Sequence, residues 1–159
     1  MKKSGMVWIA LPGLAQPRAA WHVWYEGSAY VVTGGEGEQP LPGLPEAGTT
    51  AVTVRSKDKG SRLFTWIATV TEVPPGSEEW ETVTPLLAKD RLNARDHAGQ
   101  AARWARESYV LRLTPTGEFT ESPGAQNSGY SSVRPVPTPA TTSGTAPFMF
   151  GGKGRKADL

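Results

Sequence analysis

One short stretch concentrates the side chains that could stack on, or exchange a proton with, a bound molecule. It carries Trp21, His22 and Trp24. An imidazole beside indoles could serve as a general base next to a stacked ring. It could equally be a strand histidine bonded to backbone. The only other histidine, His97, is 75 positions away, so the pair does not form a metal-ligand pattern.

A second group is the dense basic cluster of Arg55, Lys57, Lys59 and Arg62. Guanidinium and ammonium groups at the corner between two strands could hold a phosphate by charge-assisted hydrogen bonds. The cluster could also be a solvated hairpin tip whose charge Asp58 partly balances. The residue types alone leave both interpretations open.

Composition excludes several classes of function. The chain has no cysteine, which rules out disulfides, thiolate zinc sites and cysteine nucleophiles. Residues 1–120 hold 13 basic and 13 acidic residues, and this neutral balance argues against nucleic-acid binding. No apolar run is long enough to span a membrane. We therefore expect a cytoplasmic protein whose partners include neither nucleic acid nor membrane.

The elements that position these side chains are mostly strands. Residues 17–33 predict two strands joined by a tight turn at Glu26-Gly27. In the first strand Trp21, Val23 and Tyr25 lie on one face, while Trp24 and its alternating neighbours lie on the other. Aromatic residues on both faces are typical of a strand wrapped into a barrel.

The rest of the chain gives a count of elements. Further strands are predicted at residues 6–11, 49–55, 62–73 and 107–114, with a Gly/Pro-rich loop at 34–45. Ser77 is a good helix N-cap, and Thr84 before Pro85 predicts a second helix start. A third helix is expected from Asp96. The prediction is a mainly β, six-stranded antiparallel split barrel with two or three short helices between the fifth and sixth strands.

The domain is expected to end early. Residues 121–159 consist largely of Ser, Thr, Pro, Gly and Ala with few large apolar side chains. Such a composition cannot bury enough apolar surface to fold. The sequence therefore predicts a domain at 1–120 and a disordered tail at 121–159.

The motifs resemble a known family. The segments Pro-Arg-x-x-Trp-His-Val-Trp-Tyr-Glu-Gly, Tyr-Val-Val-Thr and Val-Thr-Val-Arg-Ser-Lys are similar to pyridoxamine 5'-phosphate oxidase-like split-barrel proteins, in an uncharacterised actinobacterial branch. The resemblance covers about residues 6–116. It implies a homodimer that binds FMN or a 5-deazaflavin between its subunits, and an oxidoreductase activity on an unknown substrate.

The resemblance also implies a set of cofactor-binding residues, none of them a named catalytic group and none a metal ligand. Trp21, His22 and Trp24 would line the ring pocket, with Thr33 at its mouth. The phosphate would be held by Arg55, Lys57 and Arg62.

The Gly/Pro-rich loop departs from the family pattern. It carries Glu36 and Glu38 and neither Lys nor Arg, and carboxylates beside a phosphate repel it. This favours an alternative function: a non-enzymatic split barrel that has lost the cofactor and binds a small molecule or another protein.

Overall fold

The computed structural model describes residues 5–55, 62–91 and 99–121, and all statements about structure concern these ranges. They form seven strands and two helices. The elements are β1 Met6–Ile9, β2 Arg18–Trp21, β3 Val23–Tyr25, β4 Ser28–Thr33, β5 Thr49–Arg55, β6 Arg62–Glu72, α1 Glu78–Asp90, α2 Gln100–Glu107 and β7 Tyr109–Glu121.

All pairings in the sheet are antiparallel, in the order β2-β1-β5-β6-β7-β4-β3. The two edge strands, β2 and β3, are consecutive in sequence and are separated by His22 alone. Because one residue joins opposite edges, the sheet must curl into a nearly closed barrel with one seam. This confirms the predicted mainly β split barrel, with helices between the last two strands.

The strand count differs from the predicted six. Residues 20–26 were expected to form one strand, but the chain crosses the seam at His22 and continues on the opposite edge. The alternation of side-chain faces that predicts one strand is therefore shared by two strands, β2 and β3, at opposite edges of the sheet. The predicted turn is confirmed, with Glu26 and Gly27 at φ 43° and 81°, the left-handed region that a two-residue hairpin requires.

The barrel interior holds one apolar cluster and the outer face beneath the helices holds another. Trp66 and Leu111 belong to the first, against which Trp24 packs. Trp80 and Trp104, from the two helices, belong to the second, against which Trp21 packs. The alternation of faces predicted for the first hairpin is thus observed on both sides of the seam.

Two predicted boundaries were wrong. Pro85 lies inside a continuous α1, and Thr84 donates its hydroxyl to the Trp80 carbonyl, 2.8 Å away, instead of capping a new helix. β7 continues past Pro115 and Gly117, where shifts of register against β6 accommodate both residues. Ser77 caps α1 as predicted, since its hydroxyl accepts from the Trp80 amide at 3.1 Å.

Some predictions lie outside the described residues. They include the helix start at Asp96 and the disordered tail that follows Glu121. Within the described ranges, neither helix has the length and apolarity needed to cross a bilayer.

Candidate functional site

A cavity of about 940 Å³ lies at the barrel seam, outside the interior core. Its wall combines the β1 and β2 ends, the loop at 36–39, and residues from the C-terminal parts of both helices. The lining residues that matter below are Trp21, His22, Glu38, Gln39, Arg91 and Arg103.

Trp21 contributes an indole to this wall. Its side chain is half-buried and packs against the outer cluster beneath the helices. The guanidinium carbon of Arg91 lies 5.7 Å from the centre of the ring, within cation–π distance. Packing therefore holds the Trp21 indole in place, and the residue still lines the cavity.

His22 is a buried imidazole, 8% exposed, at the residue that crosses the seam. Its Nδ1 is buried and has no hydrogen-bond partner. Burial lowers the pKa of His22 to about 4, because desolvation penalises the charged form. At neutral pH the side chain is an uncharged imidazole with one nitrogen that a ligand could pair.

Glu38 connects the loop to the helices. Its side chain is only 1% exposed and pairs with Arg91, the C-cap residue of α1. Trp104 Nε1 and Gln100 Nε2 donate to its Oε1 at 2.8 and 3.2 Å, and Arg103 lies 3.6 Å away. With two guanidinium groups against one carboxylate, Glu38 is neutralised. Of the two carboxylates expected to repel a phosphate, Glu38 is therefore paired with cations of the chain itself.

Gln39 connects the same loop to the barrel edge. The Trp21 amide donates to Gln39 Oε1 at 2.9 Å, and Gln39 Nε2 donates to the Trp21 carbonyl at 3.1 Å. Thr33 fixes the loop from below, donating to the Gln39 carbonyl and accepting from the Leu41 amide, both at 3.0 Å.

The structure brings only part of the predicted site together. Trp21 and His22 line the cavity. Trp24 instead packs edge-on against Trp66 in the barrel interior, with ring centres 6.3 Å apart. Thr33 is buried beneath the loop, where it is bonded to backbone groups.

The basic cluster is described at one residue. The Arg55 guanidinium lies 4.6 Å from the Trp8 ring centre, and its buried Nε has no hydrogen-bond partner. Lys57 and the side chain of Arg62 lie outside the described residues. Arg55 lies two residues beyond Thr53, which pairs with Trp8, and it is not among the residues that line the cavity.

Sequence reasoning missed Gln39, Arg91 and Arg103, and it treated Glu38 only as a repulsive charge. None belongs to a local motif, since partners of Glu38 are as far as 66 positions away in the chain. One feature of the sequence could have indicated that Glu38 is buried. It is an acidic residue in a loop that also contains large apolar residues such as Leu41 and Leu44. Those two residues anchor the loop in the barrel core, at 2% and 0% exposure.

A second cleft, of about 610 Å³, lies at the N-terminal end of α1. Here Tyr30 donates its hydroxyl to Glu79 at 2.8 Å, and Arg112 binds the same carboxylate at 3.0 and 3.2 Å. Burial, followed by the bond to Glu79, raises the pKa of Tyr30 to about 12.

Among the described residues, neither cleft contains a group of histidine and acidic side chains that could hold a metal ion.

Comparison with known proteins supports the fold. No family model and no curated protein matches the chain. Among solved structures, the heme storage protein HutZ from Vibrio cholerae matches with a TM-score of 0.54 at 15% identity, covering 74% of this chain and 85% of HutZ. At such identity the likeness shows the fold alone.

Two weaker matches are an F420 reductase and a protein from Listeria innocua assigned as a pyridoxamine 5'-phosphate oxidase. The first has a TM-score of 0.49 at 14% identity, covering 75% of this chain and 91% of that one. The second has a TM-score of 0.49 at 12% identity, covering 76% and 91%. The likeness to HutZ and the seam between β2 and β3, rather than these two matches, show the split-barrel fold that the sequence resemblance implied.

Proposed function

We propose that this split-barrel protein binds a flavin or 5-deazaflavin, with the ring system in the cavity beside Trp21 and His22. The observation that carries the proposal is a cavity of about 940 Å³ bordered by an indole and an uncharged imidazole. Pockets of roughly 300–1,000 Å³ suit cofactor-sized molecules. Aromatic side chains stack on planar heterocycles, and the unpartnered His22 nitrogen can pair with a polar ring atom.

The phosphate end of the cofactor is assigned to Arg55, with Lys57 two positions further on and Arg62 across from Arg55 on β6. Arg55 is on β5 and Trp21 is on β2, with β1 between them. Two strand spacings amount to about 10 Å, a distance comparable with the arm that joins a flavin ring to its phosphate. The buried, unpartnered Nε of Arg55 is a donor available to an anion.

Hydride or electron transfer would be supplied by the cofactor when it is bound. The protein would bind and orient it. His22 is not suited to deliver a proton near neutral pH, because its pKa of about 4 leaves it unprotonated there. Its role in this proposal is a hydrogen bond to the ligand, and no side chain is assigned to acid–base catalysis.

A second candidate is the non-enzymatic barrel, and one observation favours it. Among the described lining residues, four carboxylates stand against two guanidinium groups, both of which pair with Glu38. The other three carboxylates are Glu36, Asp90 and Glu107. This surplus favours an uncharged or cationic planar ligand over one that carries a phosphate.

Titration with FMN, riboflavin and a 5-deazaflavin separates the two candidates. Riboflavin has the same ring as FMN but no phosphate. If the first candidate is right, FMN binds more tightly than riboflavin. The double variant Arg55→Ala with Lys57→Ala should then lower the affinity for FMN by roughly a hundredfold and leave the affinity for riboflavin unchanged. Lys89→Ala, which removes an exposed cation elsewhere, is the control.

Riboflavin binding equal to or tighter than FMN would favour the second candidate. Absence of binding by all three compounds would contradict the flavin proposal. Hemin is a useful fourth probe, because a neutral histidine can ligate heme iron.

We further propose that the protein is a homodimer. Met6 and Tyr109 are 41% and 44% exposed, and Phe119, whose ring centre lies 6.3 Å from that of Phe64, is 62% exposed. Apolar side chains of this size on a strand surface suit an interface between copies. Light scattering at micromolar concentration should give twice the chain mass, and the mass of one chain would contradict the proposal.

A further inference from the structure

The open edge of β2 ends at Trp21, and the side chain of Gln39 takes the place of a pairing strand there. β1 pairs with Trp21 through Met6 on one side, and the other side faces the seam. On that side Gln39 accepts from the Trp21 amide at 2.9 Å and donates to its carbonyl at 3.1 Å. One primary amide thus satisfies both backbone groups of an edge residue.

The base of this side chain is itself fixed. The Gln39 carbonyl accepts from Thr33 at the end of β4, and the preceding residue, Glu38, is tied to Arg91 and Trp104. Gln39 therefore links β2 to β4 across the seam, while its neighbour links the loop to the helices. Because the backbone of Gln39 is already fixed, only its side-chain torsions have to be ordered when the amide pairs with the Trp21 backbone.

We propose that Gln39 is the positioning residue of the cavity: it fixes the end of β2, and with it the Trp21 indole and the seam crossing at His22. Without its amide, the last backbone groups of β2 would turn to water, and the wall residues would sample several orientations. A ligand would then have to order them on binding, which lowers affinity. The part of this inference that concerns a ligand rests on the proposed function.

The first test uses the ligand-free protein. Hydrogen exchange of the Trp21 amide, followed by NMR, should be roughly tenfold faster in Gln39→Leu than in the wild type, because the amide loses its one acceptor on the open edge. Gln39→Glu keeps the acceptor and should leave this amide protected. Gln16→Leu, the same change at an exposed position, is the control. Equal exchange in all variants would overturn the inference.

The second test measures affinity for whichever of FMN, riboflavin and 5-deazaflavin binds the wild type. Gln39→Leu should weaken binding roughly tenfold, while Gln16→Leu should not. Faster exchange of the Trp21 amide with unchanged ligand affinity would overturn the positioning role, because Gln39 would then only cap the edge of β2. If no compound binds the wild type, the proposed function fails, while amide exchange still decides whether Gln39 fixes Trp21. Should Gln39→Leu fail to fold, Gln39→Met, which has a similar length and no amide, takes its place, and unchanged Trp21 protection in that variant would contradict the inference.

Discussion

The two ends of α1 border two clefts whose polar groups are used differently. At the N-terminal end, Tyr30, Glu79 and Arg112 bind one another. At the C-terminal end, Arg91 binds Glu38, while the neighbouring His22 keeps a buried nitrogen without a partner. Both clefts have room for a molecule, at about 610 and 940 Å³.

The difference shows why volume alone does not identify a site. A cleft whose donors and acceptors already pair with each other gains little from a polar ligand, because each new bond replaces an existing one. A buried group without a partner is a cost to the folded state that a ligand could remove. The contrast is one of degree, because Arg112 also keeps a buried Nε without a partner although its Nη1 binds Glu79. We propose the cavity at His22 as the binding site, since an indole and an imidazole both border it, and the cleft at Tyr30 as a structural network.

The largest expected effect is the loss of Glu38. Glu38→Ala leaves Arg91 beside Arg103 without the carboxylate that pairs with both, and removing one partner of a buried ion pair costs about 3–5 kcal/mol. Urea unfolding should therefore show a large drop in the free energy of unfolding. Glu46→Ala, at an exposed position in the same part of the chain, should change it little. A drop of the same small size in both variants would contradict the role assigned to Glu38.

The difference between local packing and long-range polar contacts explains what could be predicted from the sequence. Strands β4 and β5 were located from runs of β-branched residues, and Trp66, Trp80 and Trp104 are buried, as expected for large apolar side chains at regular spacing. These features depend on local periodicity and on the bulk preference for burying apolar surface. The fold is therefore largely readable from the chain.

The site is not readable in the same way. The end of β2 was assigned to a continuous strand, because nothing in the local sequence tells that His22 crosses between opposite edges. The fixing of Trp21 by Gln39 depends on a contact 18 positions apart, through a loop whose composition only indicates irregular structure. Thr33 was placed at the mouth of a pocket, but it lies beneath that loop. Long-range polar pairings leave no periodic signal.

The next largest effect is a pH dependence that arises from His22. Burial holds its folded-state pKa at about 4, against about 6.5 in the unfolded chain, so the unfolded state binds more protons between these values. The free energy of unfolding should fall as the pH drops from about 6.5 to 4, by about 3 kcal/mol in all. Denaturant unfolding across this window should show the loss in the wild type and a flatter profile in His22→Gln. Equal slopes would contradict the buried neutral imidazole.

A smaller effect is expected at the other cleft. Glu79→Ala leaves the buried Tyr30 hydroxyl and the Arg112 guanidinium without their shared acceptor, at a cost of about 1–3 kcal/mol. The pKa of Tyr30 should fall, since Glu79 helps to raise it. Glu78→Ala, which is one position away and exposed, is the control.

The sign of the pH dependence follows from the raised pKa. A tyrosine with a folded-state pKa of about 12 and an unfolded one of about 10 stabilises the fold below pH 10, and this contribution is lost as the pH rises towards 12. Ultraviolet titration of tyrosinate in wild type and Glu79→Ala measures the shift. Affinity for a flavin should be the same in both proteins, and weaker binding by the variant would contradict the assignment of this cleft as purely structural.

The smallest expected effect concerns how α1 is held at its two ends. The N-terminal end is capped locally, by the Ser77 hydroxyl that accepts from the Trp80 amide, whereas the C-terminal end depends on Arg91 reaching the loop. Ser77→Ala should cost about 1 kcal/mol in thermal or urea unfolding, because it removes only one cap bond at a partly solvated helix end. Ser77→Asp, which keeps an acceptor near the positive end of the helix dipole, should recover that stability. Neither variant should change ligand affinity, since the cap lies at the end of α1 away from the cavity. If Ser77→Ala weakened ligand binding as much as a change at Gln39, the two ends of α1 would be coupled, and the separation between a structural cleft and a binding cavity would not hold.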